Sequence, residues 1–370
     1  MKVLLFPATN KPWDGIEVYS YELARRLCKR GVEVDGIRIG IKKKVTKVED
    51  CFTLYDIPTP NLKGNGYIIR MLIAVFRSKE IFKRSDVIHA IGGSYGAIAF
   101  FPGKKVVTII GASSLREKSY LRKKIRETYG RFLYKGASAY IVPNTIIKEE
   151  VETGFGIRNS TIIPIGIDVD GLKVDENKAD IRRRFGIPEE DIVVLYLGQL
   201  VKGKRIRELV ESFSLALKVQ NRLRLVLVAW GYLRKEIEEL VRTLNIGNRV
   251  TFVNPVPYDQ RKYVFSMADL FVMIGDSFGD GGVSSAIMDA LGSGLPIIGA
   301  RGSPNSLVIK DGENGYLVNP TNREEISKAI LSAIENKEKL GKKALDSSKE
   351  YDWEKVVDMI INVYKRVIYD

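Results

Sequence analysis

Short continuous apolar runs alternate along the chain with longer stretches whose apolar positions recur every three or four residues. "KVLLFPA" at residues 2–8 is the first such run, and "EVYSYELARRLCKRG" follows it. In that second stretch Val18, Tyr21, Leu23, Leu27 and Cys28 fall broadly on one helical face and Gly31 stands at the end, as a helix stop requires. "VEVDGIRI", "DVIHAIGG", "KVVTIIG" and "AYIVPN" are further β-branched runs closed by turn residues. The pattern restarts after "STIIPIGIDVDGLK", which reads as a linker. "DIVVLYLG", "LRLVLVAWG", "RVTFVNPV" and "DLFVMIG" then alternate with amphipathic stretches such as "IRELVESFSLALKVQ" and "RKEIEELVRTLNIG". Continuous apolar strands between amphipathic helices predict parallel sheets covered on both faces, so the expected class is α/β with two doubly wound domains. The expected boundaries are 1–168, 169–349 and a closing helix over 350–370, where Trp353, Val356, Val357, Ile360, Ile361 and Tyr364 share a face.

Composition narrows this picture. A chain of 370 residues that is 45% hydrophobic can bury two cores. Its best apolar run, "YIIRMLIAVF" at 67–76, is short and carries Arg70, so no membrane span is expected. "MKVLLFPATNKPWDG" loses its apolar character too early for a cleavable signal. Cys28 and Cys51 are too few for a disulfide framework, and predict reduced thiols in a cytoplasmic protein. With one histidine and two cysteines apart in sequence, no metal-ligand spacing is present and no metal cofactor is expected. The net charge of +14 is uneven: residues 1–170 hold 29 Lys and Arg against 17 Asp and Glu, and residues 171–370 hold 30 against 28. A basic first half suits an anionic partner, whether phosphorylated substrate, membrane surface or nucleic acid.

The stretch "DSFGDGGVSSAIMDALGSGLPIIGARG", 276–302, holds seven glycines. It places a glycine loop after a strand and before a helix that opens with Ser284 and Ser285. Beyond the carboxyl end of a parallel strand, such a helix start directs unpaired amides and a positive dipole end at an anion.

These residues resemble the retaining glycosyltransferases of the GT-B fold, glycosyltransferase family 4 in the glycosyl transferases group 1 superfamily. "DALGSGLPIIGA" is similar to that family's acid-Ala-to-Gly-x-Pro signature, and "VLYLGQLVKGKRIRELVESF" to its G-R-L-x-x-x-K-G turn. "LVAWGYLRKEIEEL", "VTFVNPVPYDQRKYVFSMADLFVMI", "DGENGYLVNP" and the closing Trp helix extend the match over about 190–370. The first half matches more loosely, through "DGIEVYSYELARRLCKRGVEV" and "IIPIGIDVDGL".

The resemblance implies two Rossmann-like domains facing across a cleft and a nucleotide-diphosphate sugar donor held by the second. Asp289 stands where the family's second acid holds the ribose hydroxyls. Its first acid would fall on Gly281, which cannot serve; Asp280 is the preferred substitute facing the sugar and Asp276 the runner-up. Gly198, Gln199 and Lys204 match the diphosphate-binding turn, with neutral Gln199 replacing an arginine, so that Lys202 or Arg205 would have to compensate. Gly282, Val283, Ser284 and Ser285 would form the anion-binding helix start, and Gly15 the glycine near diphosphate and acceptor. His89 is the one histidine that could approach the donor sugar.

The resulting expectation is transfer of a hexosyl group from a UDP- or GDP-sugar to a glycan or lipid-linked acceptor, with retention. The rivals are a nucleotide-sugar epimerase of the same fold and a basic nucleic-acid-binding protein; no nucleic-acid module is recognisable. "YLRKKIRETYGRFLYKG", 120–136, sets Leu121, Ile125, Phe132 and Leu133 near one face and Arg122, Lys123, Lys124, Arg126, Arg131 and Lys135 around the others. That pattern fits a helix on an anionic membrane surface, as does "YIIRMLIAVFRSKEIFKR", or equally a helix with its apolar side in the core.

Overall fold

The computed structural model describes the whole chain except residues 13, 62–65, 100, 112–119 and 276–281. The chain divides into two compact units, Met1–Gly166 with Asp280–Gly282 and Trp353–Asp370, and Ile167–Gly279 with Val283–Asp352.

The first unit is an eight-stranded sheet built from β1 (Lys2–Phe6), β2 (Glu33–Gly40), β3 (Lys44–Glu49), β4 (Phe52–Pro58), β5 (Val87–Ile91), β6 (Lys105–Thr108), β7 (Ala139–Val142) and β8 (Ser160–Ile162). The order is β3-β4-β2-β1-β5-β6-β7-β8, parallel except for the β3–β4 edge pair. The two-residue period of β1 splits it between two cores: Val3 and Leu5 join one, Leu4 and Phe6 the other. On the first side lie α1 (Gly15–Lys29) and α14 (Trp353–Tyr369). On the other lie α2 (Gly66–Arg77), α3 (Lys79–Lys83), α4 (Tyr95–Ile98), α5 (Tyr120–Tyr134) and α6 (Thr145–Phe155). The closing helix α14 buries Trp353, Val356, Val357, Ile360, Val363 and Tyr364. Trp353 packs 5.3 Å from Tyr19 and over Gly166, where an added Cβ would come within 2.3 Å of the indole. Arg30 fixes the helix start through Glu354 at 2.7 Å and Asp358 at 2.8 Å.

Two expectations are corrected here. Ser160–Ile162, read as linker, is a strand paired with β7. Cys28 and Cys51, read as reduced thiols, are joined in a disulfide between the last turn of α1 and the β3–β4 turn, with Cα atoms 5.5 Å apart. Twenty-three residues separate them in sequence, and the β2–β4 pairing folds that distance back. The pairing removes the cysteine-based argument for a reducing compartment.

The second unit has the order β11-β10-β9-β12-β13-β14 and is wholly parallel. Its strands are β9 (Ile192–Gln199), β10 (Leu223–Trp230), β11 (Val250–Val253), β12 (Leu270–Met273), β13 (Ile297–Ala300) and β14 (Gly315–Val318). Its helices are α7 (Lys178–Arg184), α8 (Ile206–Val219), α9 (Arg234–Thr243), α10 (Arg261–Ser266), α11 (Ser285–Gly292), α12 (Arg323–Glu335) and α13 (Lys337–Ser348). From β9 the chain runs outward through β10 and β11, then returns to lay β12 on the other side of β9 and continues to β14. The reversal makes the carboxyl ends of β9 and β12 a topological switch point, where doubly wound sheets bind ligands.

Candidate active site

Several candidates of the second unit lie along the carboxyl edge of its sheet. Gly198 and Gln199 end β9, with Gln199 exposed, and the Tyr196 hydroxyl beneath donates to the Gln199 carbonyl at 2.8 Å. The chain then makes a 3-10 turn over Lys202–Lys204. Gly275, just past β12, lets that turn come close: an added Cβ would lie 2.9 Å from Lys204 Cα and 3.0 Å from the Gly203 carbonyl. Lys204 is thereby set at the switch point. Arg205, with φ at 54°, pairs with Glu208 at 3.0 Å, and Lys202 in the same turn is exposed.

The helix start expected to meet an anion has one of its amides already taken. Ser284 is the N-cap of α11, but its hydroxyl makes no cap bond. Its amide donates to Oδ1 of the fully buried Asn305 at 2.9 Å, while Ile287 and Met288 bond back to the Ser284 carbonyl. Among the described residues no acceptor meets the amides of Ser285 and Ala286. Asn305 therefore fixes the cap, and the next amides remain for an anion. Val283 packs partly against the core just before them.

Asp289 lies one turn beyond Ser285, part-buried, with Oδ2 3.2 Å from Arg261 Nε. Arg261 is itself buried, bonds the Tyr258 carbonyl at 3.1 Å, and stacks 3.6 Å from the Tyr258 ring centroid. A carboxylate paired with a guanidinium through one oxygen keeps lone pairs that can accept hydroxyl hydrogen bonds. Arg261, Tyr258, Gly275 and Asn305 carried no assignment from sequence. Their types are ordinary, and only the sheet order brings them to this edge. The preferred acid Asp280 and its runner-up Asp276 lie outside the described residues.

Gly282 stands two residues before the Ser284 cap and groups with the first unit, and an added Cβ there would come 2.9 Å from the Ile110 carbonyl. Gly15 is the first residue of α1, whose N-cap Asp14 accepts from the Glu17 amide at 2.9 Å. It follows β1, and β1–β5 is the switch point of the first sheet. Gly92, at φ 65°, sits there beside Ile16.

His89 requires correction. Expected at a cleft-facing strand end, it lies inside β5 and is fully buried. Nδ1 is 2.5 Å from the Tyr364 hydroxyl and Nε2 2.7 Å from the Thr108 hydroxyl. Burial pushes its pKa down to about 3. Nδ1 ties β5 to α14 and Nε2 ties it to β6, and neither is left for a substrate. Another buried charge set, Asp269 with Arg182 at 2.6 Å and Lys178 at 2.9 Å, stands at the amino end of β12. Burial alone would raise the Asp269 carboxyl, but Lys178, the Val193 amide and Arg182 together hold it below the usual carboxylate range. It braces the edge opposite the site. Among the described residues no group of three or more His, Cys, Asp or Glu is gathered for a metal.

Two doubly wound α/β units, the second with cations and helix amides at its switch point, define the GT-B class of enzyme. The description Glycosyl transferases group 1 matches residues 177–351, and Glycosyltransferase Family 4 matches residues 13–170. The chain is 23% identical to the N-acetyl-alpha-D-glucosaminyl L-malate synthase of Bacillus anthracis, across 96% of this chain and 95% of that protein. Sucrose-phosphate synthase from Thermosynechococcus elongatus has the same fold, with a TM-score of 0.82 and 18% identity over 99% of this chain and 98% of that one. HepE of Anabaena in complex with UDP-glucose gives a TM-score of 0.78 and 16% identity over 99% and 100%. The chain belongs to glycosyltransferase family 4 of the group 1 superfamily, and it is a glycosyltransferase.

Proposed function

We propose that the second unit binds a nucleoside-diphosphate hexose and that the enzyme transfers the hexosyl group, with retention, to a hydroxyl of a glycan or lipid-linked acceptor. The observation that carries this reading is the convergence at the β9–β12 switch point of Lys204, seated against Gly275, with the open amides of Ser285 and Ala286. A diphosphate there would be met by Lys204, exposed Lys202 and the α11 dipole, which together stabilise the negative charge that grows on the leaving group. Asp289, held by Arg261, would take the ribose hydroxyls. No divalent ion is needed in this arrangement, because cations and amides supply the positive field. The UDP-glucose complex of the Anabaena neighbour supports a uridine donor class.

The acceptor falls to the basic first unit, around Gly15 and Gly92. The Cys28–Cys51 pairing takes away the cysteine argument for a cytoplasmic location, and among the described residues no helix is long and apolar enough to cross a membrane. Neither the epimerase nor the nucleic-acid reading gains support from this geometry.

A thermal-shift panel of UDP, GDP, ADP and their sugars, with and without EDTA, tests the donor assignment. Stabilisation by one nucleotide in EDTA, lost in Lys204→Ala, is expected. If no nucleotide stabilises the parent protein, the assignment fails.

A further inference from the structure

The +14 charge of the chain is concentrated in one stretch: residues 66–136 hold 15 Lys and Arg against 4 Asp and Glu. That stretch builds α2, α3, α4 and α5, which cover one face of the first sheet. The orientation of two of these helices is unlike that of a core helix.

α5 touches the core through its C-terminal third. Gly130 lies against the Phe155 ring, where an added Cβ would come to 2.3 Å, and Tyr134 stacks 5.3 Å from Tyr95. Arg131 ties the same end to the Gly154 carbonyl at 3.0 Å. The apolar row on its earlier turns points outward instead: Leu121 is 68% exposed and Ile125 60%, with Tyr129 next in the row and Tyr120 beside it also exposed. These positions follow the i, i+4, i+8 spacing of one helical stripe. α2 repeats the arrangement. Met71, Ala74 and Val75 face the core, while Ile69, Leu72 and Phe76, at i, i+3 and i+7, are exposed, Phe76 by 71%. Both helices lie on the same side of the first sheet with the short α4 packed on each, so both stripes face away from that sheet. Exposed lysines border the stripes: Lys124 and Lys135 at α5, Lys79 and Lys83 at α3.

Outward apolar stripes on two neighbouring helices, rimmed by lysine, form a patch of the kind that marks an interaction surface. The charge excess selects the partner. We propose that the α2–α5 face docks on an anionic lipid bilayer, the apolar stripes entering the headgroup–acyl boundary and the lysines pairing with lipid phosphates. A neutral protein surface would leave the excess of cations unanswered, and a second copy would bring the same positive field against itself. The inference rests on the first unit alone, so it stands or falls independently of the donor assignment.

Vesicle co-sedimentation tests it, with phosphatidylglycerol-rich vesicles compared with pure phosphatidylcholine ones at low and high ionic strength. The parent protein is expected to sediment with the anionic vesicles only, and to be released by salt. Leu121→Glu with Ile125→Glu should weaken binding about a hundredfold, the value of two large apolar side chains withheld from the boundary. Lys124→Ala with Lys135→Ala should weaken it roughly fivefold for each charge removed. The lysine pair sits on the exposed rim, so it carries the test if the glutamate pair disturbs the fold. No sedimentation with anionic vesicles, or binding unchanged by both pairs, overturns the proposal. So does a parent dimer that the glutamate pair converts to monomer without any vesicle binding, which would make a second copy the occupant of this face.

Discussion

His89 offers the sharpest division between a residue that reacts and one that packs. It is the only histidine in the chain and is fully buried between the Tyr364 and Thr108 hydroxyls, with its pKa pushed down to about 3 by burial. In the unfolded chain an imidazole titrates near 6.5. The unfolded state therefore binds the extra proton first as pH falls, and stability contributed by the neutral ring is complete above about pH 6.5 and lost towards pH 3. Linkage between these two values gives a loss of about 2 kcal/mol on going from neutral pH to about pH 5. That figure depends almost entirely on the unfolded value, because the buried ring stays neutral at pH 5. Urea unfolding of a Trp13→Phe, Trp230→Phe background, followed by the fluorescence of Trp353 buried in the same unit, reads the transition. His89→Gln should abolish this increment of pH dependence and lower stability at neutral pH, while folded enzyme keeps its turnover. Stability unchanged between pH 7 and about pH 5 would refute the linkage reasoning. A His89→Gln enzyme that folds normally and has lost its activity would restore the histidine to the chemistry.

Other consequences follow from the second unit and the disulfide. Lys204→Ala should lower kcat/KM by about a hundredfold to a thousandfold, with partial recovery in Lys204→Arg, since in the proposed arrangement the charge would face the leaving group; a near-normal value would remove the lysine from the site. Asp289→Ala should weaken nucleotide binding, measured by calorimetry, by about ten- to a hundredfold, the worth of hydrogen bonds to a charged acceptor. Asp289→Glu should keep most of that affinity, and a Kd indifferent to both changes would detach Asp289 from the ribose. Cleaving the Cys28–Cys51 bond, by reductant or Cys28→Ser, frees a loop closed over 23 residues and should cost the first unit about 3 kcal/mol. Two titratable thiols in the untreated native protein would contradict the pairing.

Much of this enzyme was legible along the chain. Parallel strands buried on both faces leave continuous apolar runs, so β1, β2, β5, β6, β7, β9, β10, β11 and β12 were each foreseen from a run and its closing turn. Of the strands that escaped, β4 (Phe52–Pro58) alternates apolar and polar positions instead of running apolar, and others are shorter or more polar. β3, "KVTKVE", is a polar edge strand, and β8 contributes only three residues. The candidate positions on the β9 turn came from the resemblance to the family's glycine–lysine turn, and those at the α11 start from a glycine loop running into a helix cap; both are local motifs, set by neighbours within a few residues. Long-range pairing left no such trace. That Arg261 reaches Asp289, that Asn305 takes the Ser284 amide, that Cys51 meets Cys28 and that His89 lies beneath Tyr364 all depend on strand order and on the return of α14. The direction of the α5 stripe belongs with them. An amphipathic pattern states that a helix has two sides, but only the packing of Gly130 and Tyr134 decided which side the core would take.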